Sequence, residues 1–81
     1  MRHVADKLLE IFATTLNLPV ESIGDATSPE NTPAWDSLAN MLLIAGIEET
    51  FELELATEEI ERLTSVGRVR ALLEKRGLVL V

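Results

Sequence analysis

The stretch Trp35-Asp36-Ser37-Leu38-Ala39-Asn40-Met41-Leu42-Leu43-Ile44-Ala45-Gly46-Ile47-Glu48-Glu49-Thr50-Phe51 decides the fold of this chain. Asp36 and Ser37 are both favoured helix N-cap types, so a helix should start at one of them and run to about Phe51. Two apolar stripes run along it. Met41, Ile44, Ile47 and Phe51 form the first, assigned to the core. Leu38, Leu42 and Ala45 form the second, continued by Glu49 and Glu52. An ordinary surface helix needs one stripe. Either this helix is central and buried on both sides, or the second stripe is partly exposed. The acids that continue it favour exposure.

Working outward, Val4, Leu8, Ile11, Phe12 and Leu16 recur at helical spacing. They predict a first helix over residues 3 to 16, ended at Asn17-Leu18-Pro19 because proline lacks the amide hydrogen of a helix interior. Residues 20 to 35 are rich in turn formers and read as a long loop, pinned to the core by Val20 and Ile23. Downstream, residues 56 to 63 predict a short acidic helix capped by Thr57. A fourth helix, capped by Thr64 or Ser65, turns Val66, Val69, Leu72 and Leu73 to the core and stops at Gly77. The expected fold is all-α: a small up-down bundle of three main helices plus one short helix, with a long first loop. Residues 1–77 form the domain and Leu78-Val79-Leu80-Val81 an apolar tail. The expected core is Phe12, Ile44, Ile47, Phe51, Ile60, Leu63, Val66 and Val69.

The chain has 81 residues, 47% hydrophobic, which suits one small helical domain and argues against disorder. With no cysteine there is neither a disulfide framework nor a thiolate metal site. The N-terminus lacks the uninterrupted apolar run of a signal peptide. No stretch is long enough to span a bilayer, so a cytoplasmic, free-standing monomer is expected. The net charge of −7 disfavours nucleic acid and anionic membranes and favours basic protein partners. From Leu8 to Glu61 there is no Lys or Arg at all.

No catalytic set is visible. His3, the sole histidine, sits at the N-terminus and reads as a solvated residue. There is no glycine-rich phosphate loop, and the acids do not follow the calcium-loop pattern. Ser37 stands apart because a helix N-terminus offers unpaired amide hydrogens and the positive end of the dipole, both favourable to a phosphate ester. Alone, an Asp-Ser-Leu triplet is more often just a cap.

The layout adds to this. Trp35-Asp36-Ser37-Leu38, Ile47-Glu48-Glu49-Thr50-Phe51, Thr57-Glu58-Glu59-Ile60 and Leu63-Thr64-Ser65-Val66 occur in the order seen in the acyl carrier protein family, which the chain resembles over nearly its whole length. The resemblance implies that a phosphopantetheinyl transferase attaches 4′-phosphopantetheine from coenzyme A to Ser37. The arm's thiol would carry acyl or aminoacyl groups as thioesters between loading, condensing and transferase enzymes. Asp36 would assist transferase binding, and Leu38 would contact the arm or a partner. Leu38, Leu42, Ala45 and Glu49 would form the recognition surface, supported by Glu52, Glu58 and Glu59. No catalytic residue and no metal is implied. The core would open to shelter a cargo chain.

The chain departs from the commonest fatty-acid-synthesis pattern. Ala39 and Leu42 stand where acids are usual, and Ala34-Trp35 precedes Asp36 where glycine is frequent before the acid. A specialised carrier for polyketide, nonribosomal peptide, lipid or glycan-modification chemistry fits these departures. Two readings outside the carrier class stay open at this level. One is an unmodified acidic adaptor that occupies a basic partner; the other is a weak divalent-ion sensor.

Overall fold

Asp36 closes the start of the central helix with its side chain: Oδ1 accepts the N–H of Ala39 at 2.9 Å. The computed structural model describes residues 4–78; His3 and the tail residues Val79, Leu80 and Val81 lie outside them. Four helices follow one another: α1 (Val4–Leu16), α2 (Ser37–Phe51), α3 (Thr57–Glu61) and α4 (Val66–Lys75). There is no strand among the described residues, so the expected all-α bundle with its long first loop is what forms.

Helix ends follow from local chemistry. Asn17 takes φ 56°, and Leu18 N–H reaches back to Ala13 O at 3.0 Å. A left-handed residue therefore stops α1 before Pro19 can, and asparagine tolerates that conformation better than most. Gly77, at φ 93°, stops α4 as expected. Its N–H bonds Glu74 O at 3.0 Å while Leu78 N–H bonds Leu73 O at 3.0 Å, the paired bonds of a Schellman turn. Ser65, one of the two expected caps, receives Arg68 N–H at 3.1 Å. Thr57, in contrast, is not a cap. Ala56 holds that position, and the Glu59 carboxylate reaches back to Ala56 N–H at 2.9 Å.

The core gathers Leu8, Phe12 and Leu16 of α1, Ala39, Leu43 and Ile47 of α2, and Val66, Val69 and Leu73 of α4. Ile23, Trp35, Leu55 and Leu63 close it from the connecting segments. Ile44, Phe51, Ile60 and Leu72 pack against it half-buried. Trp35 meets Phe12 edge-on, ring centroids 5.1 Å apart at 62°, a geometry that adds about 0.5–1.5 kcal/mol to the burial itself.

Two core assignments are corrected. Met41, expected inside, is 67% exposed, and Leu43 with Ala39 takes the inward positions. Val20 is exposed, so Ile23 alone of the pair pins the loop. The loop holds itself otherwise: Gly24 N–H binds Thr27 Oγ1 at 3.0 Å, Ser28 N–H binds Asn31 Oδ1 at 2.9 Å, and Asn31 Nδ2 binds Ala26 O at 2.8 Å. It is then fastened to α4. Thr27 O and Asp25 O accept the N–H groups of Val66 and Gly67, each at 3.0 Å, and Arg70 Nε pairs with Asp25 Oδ1 at 3.1 Å. A side chain at Gly67 would press within 3.1 Å of Asp25 O, so glycine permits this close approach. No described helix is long and apolar enough to cross a membrane.

Candidate functional site

Because Asp36 is the cap, Ser37 is not. Ser37 occupies the first helical position of α2, exposed, and its hydroxyl has no hydrogen bond among the described residues. The N–H groups of Ser37 and Leu38 also find no acceptor there. The start of α4 is the opposite case, with Val66, Gly67 and Arg68 N–H all taken. An open first turn on a 15-residue helix leaves two donors and the positive dipole end beside a free hydroxyl. Those residues fit a phosphate ester on Ser37 Oγ, which needs an accessible oxygen and donors for its own oxygens.

A groove of about 510 Å³ opens at the same place, between the start of α2 and α3. Ser37 lies on its wall with Trp35, Ile60, Leu63, Thr64 and Glu61. Apolar side chains and a few polar edges line it, as suits an extended, partly apolar arm. The fold fixes its position from behind. Trp35 is buried against Phe12, and its indole Nε1–H donates to Asn40 Oδ1 at 3.0 Å. Trp35 N–H in turn binds Thr32 O at 2.9 Å.

The residues expected to meet partners fall into three groups. Leu38 (66% exposed), Leu42 (53%) and the exposed Ala45 share one face of α2, and Met41 joins them. Glu49, Glu52 and Glu58 are exposed further along. Glu52 has φ 52°, ending α2 in a left-handed turn. Glu59 differs: Arg76 Nε donates to its Oε2 at 3.0 Å, a second guanidinium nitrogen donates to its Oε1, and the same nitrogen binds Glu54 O at 2.8 Å. The bonds from Arg76 and then from Ala56 N–H hold the Glu59 carboxyl below the usual carboxylate range. Arg76 is correspondingly raised by Glu59. Glu59 thus braces α3 to α4, and Glu61 is the α3 acid that borders the Ser37 groove, together with Asp36. Sequence reasoning did not pair Asn40 with Trp35, although a buried indole N–H calls for an acceptor and Asn40 is a lone amide in an apolar run.

Comparisons with known proteins agree on one family. A family model described as "Phosphopantetheine attachment site" matches residues 6–73. The chain is 37% identical over 71 residues to an acyl carrier protein of Streptomyces coelicolor, covering 86% of this chain and 77% of that one. It is 36% identical over 68 residues to an acyl carrier protein of Buchnera aphidicola, covering 84% and 86%. The solution structure of the holo acyl carrier protein from Geobacter metallireducens superimposes with a TM-score of 0.77 at 31% identity, over 88% of this chain and 82% of that one. The chain therefore belongs to the acyl carrier protein family, and it works as a phosphopantetheine-bearing carrier of acyl groups, not as an enzyme.

Proposed function

We propose that Ser37 Oγ is the attachment point of a carrier domain spanning residues 1–77, and that this carrier acts in the cytoplasm. The observation that carries this is the division of labour at the start of α2: Asp36 caps, and Ser37 keeps an exposed, unbonded hydroxyl beside two open N–H groups. Asp36 uses Oδ1 for the cap, which leaves Oδ2 to face a transferase. Leu38, flanking Ser37 and 66% exposed, is open to contact by a partner that reaches Ser37. Once attached, the group supplies a thiol that holds an acyl or aminoacyl chain as a thioester.

The docking face has two parts that do different work. Leu38, Met41, Leu42 and Ala45 form an uncharged, apolar patch next to Ser37. Full burial of one such large side chain stabilises a complex by about 1.5–3 kcal/mol. An exposed ion pair from Glu49, Glu52 or Glu58 contributes about 0–1 kcal/mol. The apolar patch therefore sets residence time, and the acids steer basic partners toward it. Partners with an apolar pocket edged by Lys or Arg fit this face, in keeping with a carrier specialised away from the acid-rich pattern.

The test is direct. The purified protein is incubated with coenzyme A, Mg²⁺ and a broad-range phosphopantetheinyl transferase, and intact mass is measured. One added phosphopantetheine, absent in Ser37→Ala, supports the assignment. Addition that persists in Ser37→Ala moves the site elsewhere, and no addition with several transferases favours an unmodified acidic adaptor.

A further inference from the structure

The charges of this chain are sorted along it. Five of its seven Lys and Arg residues lie between Arg62 and Arg76, where only Glu74 opposes them. The fold uses two of the five internally: Arg70 pairs with Asp25 and Arg76 with Glu59. Arg62, Arg68 and Lys75 are exposed and their side chains make no hydrogen bond or close ion pair among the described residues, although Lys75 lies near enough to Glu59 to help Arg76 lower its carboxyl. All three line one groove of about 270 Å³ between α3 and α4. The other walls are Ala71, the half-buried Leu72, and Glu59, whose charge Arg76 already balances.

We propose that this groove docks a short acidic, leucine-bearing segment of a partner protein, on a face separate from Ser37. Three cations whose side chains the fold leaves without a hydrogen bond, set around Ala71 and Leu72, complement a peptide that alternates carboxylates with an aliphatic side chain. A short segment feels these cations within roughly one Debye length, about 8 Å at physiological salt. An extended anionic surface such as a bilayer or a duplex also meets the rest of a protein with net charge −7, and is repelled. The placement has a functional consequence. α3 is a shared wall: Ile60 and Glu61 face the Ser37 groove, while Glu59 and Arg62 face this one. One partner can hold the carrier here while Ser37 stays open to another enzyme, which raises the effective concentration of the held partner.

The experiment titrates the ¹⁵N-labelled protein with a synthetic peptide of acid pairs separated by leucines, at low salt. Saturable amide shifts centred on Arg62, Arg68, Leu72 and Lys75 are expected. The triple variant Arg62→Gln, Arg68→Gln, Lys75→Gln should weaken binding about tenfold, the loss of roughly 1.4 kcal/mol. Its far-ultraviolet circular dichroism at the titration temperature should match that of the unsubstituted chain, so a loss of binding reads the groove and not unfolding. Ser37→Ala should bind the peptide as well as the unsubstituted chain, so the proposal stands or falls apart from the attachment site. No saturable binding overturns it, as do shifts confined to α2 or a triple variant that binds equally well. Phosphatidylglycerol vesicles that shift the same amides when the peptide does not would assign the groove to lipid and overturn it too.

Discussion

The indole N–H of Trp35 donates to Asn40 Oδ1 at 3.0 Å, tying the last residue but one of the long loop to the first turn of α2. Asp36 and Ser37 lie between the two tied residues. Trp35 is itself packed on Phe12 of α1. The position of Ser37 is thus set by a core contact on one side and a helix on the other. Trp35→Ala should cost about 3–5 kcal/mol, the usual range for removing a large buried aromatic side chain. Trp35→Phe keeps most of the apolar burial but strands the Asn40 amide, and should cost about 1–2 kcal/mol. Urea unfolding followed by far-ultraviolet circular dichroism measures both. A Trp35→Phe variant as stable as the unsubstituted protein would mean that the hydrogen bond contributes nothing, and equal losses for the two variants would mean that the ring burial does not.

Asp36 has a cap role and a charge, and two substitutions separate them. Asp36→Asn keeps an acceptor for Ala39 N–H, so stability should change by no more than a few tenths of a kcal/mol, whereas Asp36→Ala should lose about 1 kcal/mol. If Asp36 also meets the transferase through its charge, both variants are modified slowly although only one is destabilised. Denaturant midpoints paired with initial rates of modification decide it. A normal rate for Asp36→Asn would reduce the residue to a cap.

Glu52 sits at φ 52°, where a Cβ is crowded by the following carbonyl. Glu52→Gly should therefore stabilise the protein by about 0.5–1 kcal/mol despite glycine's greater freedom when unfolded. Calorimetric melting checks the sign. A destabilised variant would show that the Glu52 side chain contributes more than its backbone costs.

Much of this architecture was legible locally, and the limits have physical causes. The span of α2 could be read because Asp36 is a strong cap and an unbroken helical run follows it to Phe51. Its inward face could not, because α2 is apolar nearly all round and its periodicity carries little information about phase. That is why helical spacing alone points Met41 inward, whereas Met41 is exposed and Ala39 and Leu43 take the core positions. The exposed stripe of Leu38, Leu42 and Ala45 was legible from the acids that continue it. The Arg70–Asp25 and Arg76–Glu59 pairs were not, since each joins residues distant in sequence and no local pattern encodes them.

The exposed apolar patch predicts an unequal response to substitution. Leu42→Ser should lower the melting temperature only modestly, because the side chain is 53% exposed in the free protein and serine is only a slightly weaker helix former than leucine. It should lower the kcat/KM of modification or acyl transfer about tenfold, corresponding to roughly 1.4 kcal/mol of lost burial. Glu49→Gln removes one exposed charge and should cost less than about threefold, with the difference fading at high salt. A larger effect from Glu49→Gln than from Leu42→Ser would reverse the proposed roles.

The Glu59–Arg76 brace makes a pH prediction whose sign follows from the direction of the shift. The Glu59 carboxyl is held below its ordinary value of 4.5, chiefly by hydrogen bonds from Arg76 and then by Ala56 N–H. Between the ordinary value and the lowered one, the unfolded chain binds the proton and the folded chain does not. The stabilisation is therefore complete above about pH 4.5 and is lost as pH falls through the folded value. Glu59→Gln should be less stable than the unsubstituted protein at neutral pH, and the gap should close in acid. Arg76→Gln should show the same acid-dependent loss, and the double variant should lose less than the sum of the two single ones, since they share one interaction while Arg76 also bonds Glu54 O and Glu59 also accepts Ala56 N–H. Urea midpoints measured from neutral pH down through the carboxylate range test this. A gap between Glu59→Gln and the unsubstituted protein that stays constant across that range would show that Glu59 does not titrate in the brace.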